Sequence, residues 1–249
     1  MTAVEICVDD IGGAETALNG GADRVELCAS LSEGGTTPTL GFLCQAAREA
    51  GPLGLQVLVR PRGGDFVHSR PELDVMLADV AATRAVFGED ERLGFTLGAL
   101  TPDGDLDDEA VTELVAAAGP CPVTFHKAFD TALRTGEPDR LLGRLTDLGV
   151  AAVLTSGGDG PAMDHLDSLA GLVRAAGDRI RIVVAGGVRP HNAAAVLTAT
   201  GARELHLRAA TVVPSASTTG SSQYDAGSRS VTSQEVVAQV VAAVAGVAS

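Results

Sequence analysis

Seven residues with chemistry of their own lie at the ends of short β-branched runs or just beyond them: Glu26, Arg60, Arg62, Asp65, His126, Asp130 and His206. Their segments read ADRVELC, RPRGGDF, TFHKAFD and ELH. Arg60 and Arg62, followed by Gly63 and Gly64 that let a backbone approach closely, could grip a carboxylate or phosphate. Glu26 or His126 could move protons to and from a substrate held there. The catalytic candidates are therefore Glu26, His126, Asp130 and His206. The substrate-binding candidates are Arg60, Arg62 and Asp65, with Ser156 from LTSGG and Gly186 from AGGV. His126, His206, Glu26 and Asp130 could instead hold a divalent metal. The structural alternative is a salt-bridge network with satisfied buried imidazoles, but such a network needs no glycine-rich loop beside it. Lys127 is the only lysine in the chain and suggests Schiff-base chemistry. Its place next to an inward His126 predicts that it points away from any such site.

These residues need a scaffold that brings distant segments together. Short β-branched runs alternate with Ala/Leu-rich helical stretches along the whole chain, the pattern of a parallel α/β fold. Strands are expected at 4–8, 24–28, 55–60, 94–100, 123–126, 152–156, 180–185 and 204–208. Helices are expected at 12–19, 40–50, 72–87, 107–118, 138–148, 161–176, 192–200 and 233–247. Eight such units in 249 residues fit a single (β/α)8 TIM-like barrel occupying 1–249, whose active site would lie at the C-terminal strand ends.

Strand parity supports the barrel. Val4, Ile6 and Val8 alternate with Glu5 and Cys7, Val25 and Leu27 with Arg24, Glu26 and Cys28, and Leu205 and Leu207 with Glu204, His206 and Arg208. The strands at 55–60, 94–100 and 123–126 split the same way, so six strands turn polar groups toward the barrel axis. A doubly wound sheet would make its central strands apolar on both faces. Buried Glu5, Glu26 and Glu204 require cationic partners, which Arg24, Arg60 and Arg62 can supply. The Ser/Thr/Gly-rich stretch 209–232 reads as a mobile loop after strand 8. Asp103, Asp105, Asp107 and Asp108 read as a solvated helix start rather than a calcium loop.

Composition narrows the function. A formal charge of −14 repels nucleic-acid backbones and anionic membranes, and 3% aromatic content leaves few platforms for stacking bases. No apolar run reaches a membrane span and no signal segment is apparent, so a cytoplasmic protein is expected. Cys7, Cys28, Cys44 and Cys121 are widely spaced with no CxxC pair, which predicts free thiols.

ADRVELC, EGGTTPT, RPRGGDF, TFHKAFD and LTSG, in this order and at these distances, resemble the CutC copper-homeostasis family. The resemblance runs from Glu5-Ile6-Cys7 to Glu204-Leu205-His206. It implies a TIM-like barrel, a cytoplasmic location, self-association into a homo-oligomer and a copper ion as partner. It also implies that the cysteines ending the first two strands, Cys7 and Cys28, bind Cu(I). Both have inward parity on neighbouring strands, and thiolates suit soft Cu(I). The bland reading is that both are small buried hydrophobes. The other function kept open is that of a TIM-barrel enzyme acting on a small anionic phosphate or carboxylate substrate.

Overall fold

The alternating pattern closes into a barrel. The computed structural model describes residues 2–217, 220, 222, 223 and 225–247. Eight parallel strands form the wall: β1 (Ala3–Val8), β2 (Arg24–Leu27), β3 (Gly54–Leu58), β4 (Leu93–Leu97), β5 (Val123–Phe125), β6 (Ala152–Thr155), β7 (Arg181–Val184) and β8 (Glu204–Leu207). β8 pairs back onto β1 with Ala3 opposite Glu204 and Glu5 opposite His206. Helices α1 (Gly13–Asn19), α2 (Leu40–Glu49), α3 (Arg70–Phe87), α4 (Asp108–Ala118), α5 (Ala128–Ala132), α6 (Pro138–Asp147), α7 (Leu166–Ala176), α8 (Ala193–Thr200) and α9 (Gln234–Val244) connect and cover the strands.

The parity expected from the sequence sorts the interior. Val4, Ile6, Val25, Leu27, Leu55, Val57, Phe95, Phe125 and Leu205 join the helices in one core. Full burial of such side chains contributes roughly 1.5–3 kcal/mol each. Their alternates face the axis, where Cys7, Cys28 and Leu58 form a separate small cluster. On β6 and β7 the second apolar set is Ala152, Leu154, Val183 and Ala185. One side of the lumen is therefore apolar, while β8 and β1 to β5 supply its buried polar groups.

Local chemistry fixes the helix starts. The Glu72 carboxylate accepts from the N–H and hydroxyl of Ser69, closing a capping box at α3. Asp107 accepts from the Ala110 N–H at the head of α4, so Asp107 and Asp108 form a helix start as expected, whereas Asp103 and Asp105 lie in the loop before it and Asp105 pairs with Arg144 at 2.7 Å. Three features differ from the sequence reading. β3 ends at Leu58, which leaves Arg60 in the following loop, and the short α5 adds a turn directly after His126. The stretch expected as a loop at 209–232 carries β9 (Ala210–Pro214) and β10 (Ser228–Thr232), paired antiparallel. Thr232 is tied to the Asp10 carboxylate through its N–H and hydroxyl. β-Branched Val212, Val213 and Val231 suit this ribbon better than composition suggested. Residues 218, 219, 221 and 224 of that stretch lie outside the described residues. Among the described residues no helix is long and apolar enough to cross a membrane.

Candidate functional site

The sequence-predicted residues fall into three groups. The first lies inside the barrel, where β8, β1 and β2 meet. Register places Glu5 opposite both Arg24 and His206, and Cys7 opposite Glu26. Arg24 Nε donates to Glu5 Oε2, and its Nη2 donates to Glu204 Oε2 at 2.8 Å. Arg181 holds the other Glu204 oxygen at 2.7 Å. Glu5 and Glu204 are thus paired by Arg24, as expected, and by Arg181; Arg60 and Arg62, also expected as partners, lie beyond the end of β3, and Glu26 faces His206 instead. His206 Nδ1 sits 2.6 Å from Glu5 Oε1, so its Nε2 is left facing Glu26 Oε2 at 3.8 Å. Ligand atoms of Glu5, Glu26 and His206 lie within 4.8 Å of one another.

Electrostatics in this group are strongly polarised. Burial would raise the Glu5 carboxyl, but the charge of Arg24 and the hydrogen bond with His206 hold it at about 2. Glu26 goes the other way, pushed up mainly by burial. The Cys28 thiol is also pushed far up, by burial and by the Glu26 charge, and it donates to Glu26 Oε2 at 3.3 Å. Burial opposes a charge on His206, yet Cys7 and Glu26 beside it keep the imidazolium favoured well above its ordinary range. Glu26 Oε1 is buried with no hydrogen-bond partner among the described residues. Glu5 and Arg24 were read from sequence only as a structural pair; here they also aim His206.

The second group lies at the mouth beyond β3 and β5. Arg60 is 5% exposed and, among the described residues, its guanidinium bonds only to backbone carbonyls, Gly35 O at 3.0 Å, Glu33 O at 3.4 Å and Gly64 O at 2.6 Å. It lies over the Phe66 ring, 4.9 Å from the centroid, and the His126 ring is 4.8 Å from the same centroid. His126 fills space that Gly98 leaves open, since a Cβ there would stand 2.7 Å from the imidazole. Burial, with the Arg60 charge, lowers the His126 imidazole to about 3. Arg62 is different. It spends its donors on Glu72, Asp65 and the carbonyls of Gly63, Asp65 and Val67, so it braces its own loop against α3. Asp65 is a partner of Arg62 at the exposed surface rather than a lumen group. Phe66 was missed, because nothing in RPRGGDF marks an aromatic as the link between Arg60 and the distant neutral His126.

The third group joins β5 and β6. Buried Asp130 accepts from Thr155 Oγ1 and the Ser156 N–H and hydroxyl. Lys127 Nζ reaches Asp130 Oδ2 at 2.8 Å and also Ser156 Oγ. The expectation that Lys127 points away is therefore corrected: β5 ends at Phe125, and strand parity no longer applies two residues later. Gly186 has a φ of +94°, and a Cβ on it would meet Ser156 Cβ at 2.8 Å. Its glycine is required by this close approach of two loops.

Comparison with known proteins follows the same outline. The profile described as the CutC family matches residues 2–211. A human protein named copper homeostasis protein cutC homolog is 42% identical over 206 residues, covering 83% of this chain and 72% of its own length. A family protein CutC of Photobacterium profundum is 35% identical over 248 residues, covering 97% of this chain and 98% of its own. Among solved structures, the CutC protein of Streptococcus agalactiae superposes with a TM-score of 0.75 at 30% identity, covering 83% of this chain and 98% of that one. Phosphoribosyl anthranilate isomerase from Thermococcus kodakaraensis, at 14% identity and a TM-score of 0.59 over 99% of this chain and 100% of its own, shares the barrel fold alone.

Proposed function

The chain belongs to the CutC family, and from that membership we propose that it serves copper homeostasis by binding Cu(I) through Cys7 and Cys28. The observation that carries this reading is the small buried cluster in which both thiols meet Leu58 inside the barrel. Two sulfur donors suit a soft monovalent ion better than a hard cation. Binding requires the thiols to lose their protons. Glu26, already in contact with the Cys28 thiol, is the nearest acceptor for one of them. His206, aimed by Glu5, supplies positive charge that offsets a bis-thiolate. Free thiols of this kind persist in a reducing compartment, which agrees with a cytoplasmic site of action. An anaerobic Cu(I) titration against a competing chelator tests the reading. One tightly bound ion per chain is expected, lost in a Cys7→Ser/Cys28→Ser variant. Unchanged affinity in that variant would leave the two cysteines as packing residues.

A further inference from the structure

Arg60 is a buried cation without a counter-ion. Among the described residues no carboxylate stands within ion-pair distance of its guanidinium, although the chain carries a net charge of −14. Its Nε is buried and has no hydrogen-bond partner among the described residues. An isolated buried charge is costly, and a buried donor left unmade costs more than the average hydrogen bond returns. Structures retain such groups where something else completes them.

A second unmade donor lies close by. The Ala128 N–H donates to His126 Nδ1 at 3.3 Å, which places the ring proton of this neutral imidazole on Nε2. His126 Nε2 is buried and likewise has no hydrogen-bond partner among the described residues. Phe66 is in contact with both side chains and is itself only partly buried. Its backbone is held by the Leu100 N–H, which donates to Phe66 O at 2.9 Å. The Phe66 ring therefore lies against two side chains that each carry an orphaned N–H donor, one of them cationic, at the C-terminal strand end of the barrel.

We propose that Arg60 Nε and His126 Nε2 form a binding site for the oxyanion of a small molecule, a carboxylate or phosphate group, admitted when the Phe66 ring swings aside. The anion supplies the missing counter-charge to Arg60 and accepts the His126 proton in a hydrogen bond. Arg62 takes no part, because its donors are already spent. The site is separate from the cysteine pair and does not rest on copper binding.

The test uses the intact chain with histidine-selective 15N–1H NMR and thermal melting, with inorganic phosphate and acetate as separate probes. Expected is a saturable shift of the His126 Nε2–H signal with one or both probes, together with a rise in melting temperature. The preferred probe tells which oxyanion the site takes. Arg60→Met should weaken that binding at least tenfold, and His126→Gln should weaken it less. The Cys7→Ser/Cys28→Ser variant should bind the probe like the parent. No shift and no stabilisation with either probe would overturn the proposal, and so would a shift that persists undiminished in Arg60→Met. Should Arg60→Met fail to fold, the parent spectra and His126→Gln decide the matter.

Discussion

Replacing Arg24 by alanine removes the cation that two buried carboxylates share. The Arg24 side chain is 15% exposed, Glu5 4% and Glu204 11%, so water screens this network poorly. Glu204 keeps Arg181, but Glu5 is left with His206 alone. Breaking a buried pair from one side costs about 3–5 kcal/mol. For a chain of this size that lowers the melting temperature by about 6–20 °C. Arg62→Ala is the control: its side chain is 37% exposed and its partners lie near the surface, so a fall of at most a few degrees is expected. The deficit of Arg24→Ala should also depend on pH. Glu5 titrates at about 2 when folded, against 4.5 ordinarily. A depressed carboxylate contributes stability above its unfolded value and loses it as pH falls through the folded one. The difference between parent and Arg24→Ala should therefore be full above pH 4.5 and shrink toward pH 2. Melting both variants across this range checks it. Equal losses for Arg24→Ala and Arg62→Ala, or a deficit constant down to pH 2, would refute the reasoning.

Other outcomes follow from the same groups. His126 stays neutral when folded down to about pH 3, whereas an unfolded histidine protonates near 6.5; stability should fall with pH across that window, by one proton, and His126→Gln should flatten the slope. His206 has the opposite sign: its stabilisation is complete below pH 6.5 and is lost as pH rises through its elevated folded value, so His206→Asn should remove part of the alkaline destabilisation seen by circular dichroism. Glu26→Gln keeps the shape and removes a carboxyl that burial disfavours as a charge, so it should raise the melting temperature at pH 8 and leave it unchanged at pH 4. The same variant should weaken Cu(I) binding, since the proton acceptor beside Cys28 is gone.

The barrel and the direction of its polar faces were legible because parity along a strand is a local property. Glu5, Cys7, Arg24, Glu26 and His206 meet as alternation required. What failed lay where the strand ends. Sequence matches Arg60 and Arg62 to the buried carboxylates, but their geometry is set by carbonyls of the loop between β2 and α2 and by the capping residue Glu72. Lys127 was turned the wrong way because α5 begins immediately after it. The orphaned donors on Arg60 and His126 depend on what other loops fail to provide, and no spacing in a chain records an absent neighbour.

Copper X-ray absorption on the anaerobically loaded chain tests the central claim most directly, because the edge reports oxidation state and the fine structure reports the donor atoms. Two sulfur scatterers at a Cu(I) edge are predicted, both lost in the Cys7→Ser/Cys28→Ser variant. A first shell of oxygen and nitrogen only, or a sulfur shell that survives the double substitution, would contradict a copper site built on Cys7 and Cys28.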